Sequence, residues 1–126
     1  MNTKLRILIV DNQPRARQSM QALLGAWYPK QEIREAASGT QAVELAAEFA
    51  PHIILMDARM PGLSGPEAAR EIKAKFPRIK IVILSMYPDW EAEAMASGAD
   101  AFVGKSDLPE KLRETLSELI GKGGRK

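Results

Sequence analysis

Short apolar runs recur along the chain, and each stops at a polar residue. Residues 5–10 form a run rich in branched side chains that ends at Asp11. Residues 52–56 repeat the pattern and end at Asp57, residues 80–84 end at Ser85, and residues 101–104 end at Lys105. Continuous apolar runs of this length, without polar alternation, predict strands buried on both faces. A weaker strand is expected over residues 32–36. The most apolar stretches, residues 7–10, 53–56 and 81–84, are only four residues long, far short of a membrane span or a signal-peptide core.

Helical spacing fills the gaps between the runs. Pro14 opens a segment with Met20, Leu23, Leu24 and Trp27 on one face, and Pro29 ends it. A second helix is expected over residues 40–50, with Val43, Ala46, Ala47 and Ala50 facing inward and Pro51 as the stop. Ser64 and Glu67 have the spacing of a capping box, which starts a third helix running to about Lys75. A short fourth helix follows over residues 91–96, stopped near Gly98. A last one covers residues 109–120, with Leu112, Leu116, Leu119 and Ile120 on one side. Strands that alternate with helices in this way predict an α/β fold with a five-stranded parallel sheet, doubly wound and covered on both faces.

Composition narrows the chemistry. At 126 residues the chain makes one domain with a sizeable core. No cysteine is present, so disulfides, thiol nucleophiles and cysteine-based metal sites are excluded; His52 is the one histidine. The formal charge is +2, but Lys122, Arg125 and Lys126 supply three of the 18 basic residues, leaving 15 against 16 acids in the body. We therefore expect a folded unit over residues 1–120. Residues 121–126 are expected to form a flexible basic tail or the start of a linker. A nearly neutral body argues against direct nucleic-acid binding by this domain, and the absence of an apolar span argues for the cytoplasm.

Asp11, Asp57, Ser85 and Lys105 each fall just past the carboxyl end of a different strand, where open α/β sheets bind ligands. Taken singly, Asp11 reads as a helix N-cap, Ser85 as a loop hydroxyl and Lys105 as a surface charge. Their joint placement points instead to a site. Two neighbouring carboxylates call for a cation, and hard oxygen donors suit Mg²⁺. A lysine and a hydroxyl beside them suit a phosphoryl group. The chemistry is phosphoryl transfer to a carboxylate.

The stretch Ile53-Ile54-Leu55-Met56-Asp57-Ala58-Arg59-Met60-Pro61-Gly62-Leu63-Ser64-Gly65 resembles the phosphoacceptor region of response regulator receiver domains of two-component systems. Residues 7–11, 81–85 and 98–105 extend the resemblance, which covers residues 5–120. The Ser85-Met86-Tyr87 segment is most similar to the subfamily usually linked to a helix-turn-helix output domain. The resemblance implies a flavodoxin-like (βα)5 fold with strand order 2-1-3-4-5. It implies a switch, not a turnover enzyme, in which a sensor histidine kinase phosphorylates Asp57. Asp11, Asp57 and the carbonyl of Arg59 would hold Mg²⁺, Ser85 would bond the phosphoryl oxygen, and Lys105 would pair with Asp57 and then with the phosphate. Ser85 and Phe102 would be the switch residues; a plain core aromatic is the other reading of Phe102. The resemblance also implies homodimers through the last strand and last helices, and an output domain or partner protein. That output would be a DNA-binding domain if the chain is a fragment.

The sequence departs from the family pattern at several places. Asn12 stands where a second acid is usual, which predicts weaker Mg²⁺ binding. Ser106 follows Lys105 where proline is common, which predicts a trans bond there. The segment between Ser85 and Gly98 is short. Arg59 and Tyr87 are bulky and would shield a phosphoryl group from water, which predicts a long-lived phosphoprotein. The departures keep a second function open: a degenerate receiver that serves as a protein-interaction module without phosphorylation. A flavin or dehalogenase-like enzyme on the same fold fits poorly. The turn after Asp11 lacks a phosphate-binding loop, and no second Asp lies two residues beyond Asp11 or Asp57.

Overall fold

The apolar runs are strands of one parallel sheet. In the computed structural model, which describes residues 4–121, five strands and five helices alternate. They are β1 (Arg6–Val10), α1 (Pro14–Trp27), β2 (Glu32–Ala36), α2 (Gly39–Phe49) and β3 (Ile53–Asp57) in the first half. The second half holds α3 (Gly65–Lys75), β4 (Lys80–Ser85), α4 (Glu91–Ala96), β5 (Ala101–Gly104) and α5 (Glu110–Leu116). The sheet order is β2-β1-β3-β4-β5 with every pairing parallel, as expected. The tail expected at residues 121–126 lies, apart from Gly121, outside the described residues.

Strand periodicity builds two cores. Leu8, Val10, Ile54, Met56, Ile81 and Ile83 face α2, α3 and α4, where Ala42, Ala46, Phe49, Ala68, Ala69 and Ile72 cover them. Ile7, Ile9, Ile53, Leu55, Val82, Leu84 and Val103 face α1 and α5, and meet Met20, Leu24, Leu112 and Leu116. Each large aliphatic side chain so buried contributes about 1.5–3 kcal/mol relative to exposure. Among the described residues no helix is long and apolar enough to cross a membrane.

The helix ends follow local chemistry. Pro14 occupies the first turn of α1, where its missing N–H costs nothing. The capping box of α3 forms: Glu67 N–H donates to Ser64 Oγ at 3.2 Å and Ser64 N–H to Glu67 Oε1 at 2.9 Å. The second helix differs from expectation. It starts at Gly39, where Gln41 N–H donates to Ser38 Oγ at 3.1 Å, and it buries Ala42, Ala46 and Phe49. Ala47 and Ala50 are exposed. Ala50 leaves the helix with φ +49°, because the residue before Pro51 is disfavoured in the helical region. The short fourth helix is present, preceded by one 3₁₀ turn, Pro88–Trp90, and stopped by Gly98 at φ +100°. The last helix does not stay regular to Ile120: α5 widens into a π turn over Ser117–Gly121. Leu119 and Ile120 still pack, partly buried, against the α1 side of the sheet. The Lys105–Ser106 bond is trans; among the described residues the cis peptide is Leu108–Pro109.

Candidate functional site

Register brings the strand ends level. Val10 pairs with Met56 across β1 and β3, so Asp11 and Asp57 emerge side by side. Asp57 pairs with Leu84, and Ser85 with Gly104, which places Ser85 and Lys105 at the same edge. The strand order reverses between β1 and β3, and there the edge opens into a crevice. A cavity of about 680 Å³ occupies it, lined by Asp11, Asn12, Asp57, Arg59, Ser85, Tyr87 and Lys105 among others.

The lysine is the centre of the cluster. Lys105 Nζ lies 2.7 Å from Asp57 Oδ1 and 3.2 Å from Asp11 Oδ2. The remaining carboxylate oxygens take backbone donors: Gln13 N–H bonds Asp11 Oδ1 at 2.9 Å, and Arg59 N–H bonds Asp57 Oδ2 at 3.2 Å. Asp11 is only 7% exposed and Ser85 4%. The Ser85 Oγ accepts from Tyr87 N–H at 3.0 Å, which folds the β4–α4 loop back on itself. Gly65 brings α3 hard against β3: a Cβ there would strike the Asp57 carbonyl and the Ala58 backbone.

The charges are not balanced. Burial pushes the Asp57 carboxyl above its ordinary value; the Lys105 bond and charge oppose this, and the like charge of Asp11 adds to it. Burial also works against the Lys105 ammonium, but Asp57 and Asp11 together outweigh it and raise its affinity for the proton. The lysine sees two carboxylates, whereas Asp57 sees one lysine and a like charge. Pairing therefore stabilises charged Lys105 more than charged Asp57. A second cation would relieve the remaining repulsion. The oxygen donors of Asp11, Asp57 and the Arg59 backbone suit Mg²⁺, a hard ion that keeps several waters and needs only one or two carboxylates. Among the described residues no group of three or more His, Cys, Asp or Glu converges to hold a metal, so the two carboxylates stand without a third.

Four of the residues singled out in the sequence thus meet in one place. Arg59 joins them through its backbone, and Asn12 lines the same cavity. Phe102 does not. It is half-buried against the α2–α4 layer and shares a separate cavity of about 340 Å³ with Ser85. Sequence reasoning missed Arg17, whose Nη1 donates to the Asp11 carbonyl at 2.7 Å, and Glu35, which bonds Arg17 Nε at 2.8 Å. No local spacing signals a contact between a helix and an edge strand.

Residues 7–117 match the response regulator receiver domain family. The transcriptional regulatory protein YxjL of Bacillus subtilis is 34% identical over 115 residues, which make up 90% of this chain and 53% of that protein. VraR of Staphylococcus saprophyticus is 34% identical over 119 residues, 90% of this chain and 57% of that protein. The chain spans about half the length of the curated relatives it matches. Among solved structures, a LuxR-family two-component response regulator from Aurantimonas superposes with a TM-score of 0.87 at 29% identity, covering 95% of this chain and 87% of that one. TrrA of Thermotoga maritima, solved in complex with Mg(2+)-BeF, gives a TM-score of 0.83 at 32% identity, covering 93% and 99%. The paired acids, the lysine and the serine sit at the carboxyl ends of a 2-1-3-4-5 sheet, in a chain matched almost end to end: it belongs to the response regulator receiver domain family.

Proposed function

We propose that this protein is a phosphorylation-dependent signalling switch that accepts a phosphoryl group on Asp57 from a sensor histidine kinase. The observation that carries this reading is the Asp57 carboxylate itself, held 2.7 Å from Lys105 beside Asp11 at the mouth of an open cavity. An Asp57 carboxylate oxygen attacks phosphorus, the new P–O bond forms as the P–N bond to the kinase imidazole breaks, and the imidazole leaves with the electron pair and gains a proton. Lys105 holds Asp57 in place and then neutralises the phosphoryl oxygens. Ser85 exchanges its bond from Tyr87 N–H for one to the phosphoryl group, which draws the β4–α4 loop inward. Asp11, Asp57 and the Arg59 carbonyl would hold Mg²⁺, which supplies further positive charge to the transferring group when bound. Phe102 follows the loop as a switch residue.

On this reading the chain transfers one phosphoryl group to itself and is not a turnover enzyme. Residues 1–120 form the receiver unit, and it works in the cytoplasm. It passes its signal through a homodimer of the last strand and last helices or through an output domain or partner, such as a DNA-binding domain; several relatives are named as transcriptional regulators. Arg59 and Tyr87 flank the phosphoryl position and keep water away, so the phosphoprotein is long-lived.

Asn12 in the cavity favours a second reading, a receiver that binds partners without phosphorylation. One experiment separates the two. Incubation with acetyl phosphate and Mg²⁺ should add one phosphoryl group by intact-mass measurement, and Asp57→Ala should abolish it. An unmodified wild-type mass would overturn the first reading and leave the second. Rapid decay of the adduct would rule out the long lifetime.

A further inference from the structure

The Asp11 peptide is gripped from both sides. Its N–H donates to the Ala36 carbonyl at 3.1 Å, and its carbonyl accepts from Arg17 Nη1 at 2.7 Å. Arg17 is itself braced. Its Nε bonds Glu35 Oε1 at 2.8 Å, and the other Glu35 oxygen accepts from Gln21 Nε2 at 2.9 Å. Two helix side chains and one side chain of the edge strand β2 thus close a network around a single carbonyl. The pair is half-buried, with 17% of the Arg17 side chain and 33% of the Glu35 side chain exposed. An isolated pair of that kind adds little to stability. Its geometry is another matter. The planar guanidinium fixes two acceptors at once, a task that a single ammonium nitrogen does poorly.

The position of that carbonyl matters because of Asn12. With an amide in place of the second acid, Asp11 supplies the only carboxylate that β1 brings to the site. Groups that hold a metal ligand from behind set its aim, and their loss typically lowers metal affinity 10–100-fold.

We propose that Arg17, braced by Glu35 and Gln21, is a positioning residue that fixes the Asp11–Asn12 peptide and keeps the Asp11 carboxylate aimed into the phosphoacceptor cavity. The proposal rests on the reading of that cavity as a Mg²⁺-assisted phosphoacceptor site, and two measurements separate them.

The first needs no metal. Amide hydrogen exchange by NMR reports on the Asp11 N–H and on the Gln13 N–H that bonds Asp11 Oδ1. In Arg17→Ala both should exchange roughly tenfold faster, while amides of β3 remain protected. The second is calorimetric titration of the unphosphorylated protein with Mg²⁺. Arg17→Ala and Arg17→Lys should each bind about tenfold more weakly. Glu35→Gln, which keeps one acceptor oxygen for Arg17 Nε and can meet a flipped Gln21 amide with its NH₂, should stay within about threefold of wild type. Labelling by acetyl phosphate at saturating Mg²⁺ should recover to near the wild-type rate in all three, because the defect lies in placing the cation. A folded Arg17→Ala protein with unchanged exchange at both amides overturns the proposal, as does a labelling defect that saturating Mg²⁺ leaves in place. If the wild-type protein takes up no Mg²⁺, the phosphoacceptor reading fails, and the amide exchange still decides the role of Arg17.

Discussion

Lys105 holds the site together by touching both carboxylates, and the balance it strikes depends on how many acids surround it. Asp11 and Asp57 already outnumber it. Replacing Asn12 by aspartate adds a third negative charge to the same cavity. The prediction has two signs. Mg²⁺ affinity should rise about tenfold, equivalent to about 1.4 kcal/mol, a size in keeping with one added charge at the edge of a protein. The metal-free protein should lose stability, by about 1 kcal/mol, from the same repulsion. A calorimetric titration in which Asn12→Asp binds Mg²⁺ no more tightly than wild type would show that the amide oxygen already serves. His52 carries a separate pH dependence. Its Nδ1 accepts from Arg6 N–H at 2.9 Å, so the ring is neutral there. Burial and the Arg6 charge lower its proton affinity below the ordinary 6.5. The unfolded chain then takes up the proton first, and stability is lost as pH falls through that ordinary value. His52→Asn keeps an acceptor that does not titrate. Its stability profile should be flatter than the wild type's between about pH 7 and pH 5.5, measured by urea unfolding; parallel profiles would refute the assignment. These residues differ in how far the sequence exposes them. Asp11, Asp57, Ser85 and Lys105 were legible because each ends an apolar run. Arg17 and Glu35 were not, since they meet across 18 positions and Glu35 sits on a strand with little apolar pattern.

At the scale of elements, the strands were easy to read and the helix faces less so. Residues buried on both sides leave no choice of face, so β1, β3, β4 and β5 follow directly from composition. In α2 the abundance of alanine blurs the face, which Phe49 marks most firmly, with Val43 and Leu45 packed beside it only partly buried. Alanines at positions 42, 46, 47 and 50 look alike in sequence, but two are buried and two are exposed. Pro51 decides the end. It pushes Ala50 into a left-handed turn with φ +49°, and the Arg6 side chain bonds the Ala50 carbonyl at 2.8 Å. A left-handed residue with a Cβ costs roughly 1–2 kcal/mol, which glycine avoids at some expense in chain entropy. Ala50→Gly should therefore stabilise the protein by about 0.5–1 kcal/mol, seen as a higher urea midpoint with an unchanged slope. A lower midpoint would mean that the turn is not strained. The π turn after α5 was not legible at all, because Leu116, Leu119 and Ile120 have spacing that a regular helix also satisfies.

The whole molecule is two helix layers sharing one sheet, and that sharing governs how it unfolds. Every strand gives alternate residues to both layers: Ile54 and Leu55 are neighbours in the chain and lie in different cores. A layer cannot come apart while the other keeps the strands in register, so unfolding should be all-or-none. The two tryptophans report the layers separately, because Trp90 packs against the α2–α4 core and Trp27 against the α1–α5 core. Trp27→Phe and Trp90→Phe each leave one fluorophore. In both variants the fluorescence transition in urea should coincide with the loss of far-UV circular dichroism. Transitions that separate in either variant would show that the layers melt independently. Coincidence has a consequence for signalling. If neither layer can loosen alone, a change at Asp57 must travel as a rearrangement of a still-folded protein. The element best suited to it is the β4–α4 loop, which leaves Met86 61% and Tyr87 53% exposed, with the six-residue α4 behind it. Ser85 stands at the root of that loop and Phe102 lines the cavity beside it, so a rearrangement that starts at the Asp57 edge of the sheet has a short path to the surface.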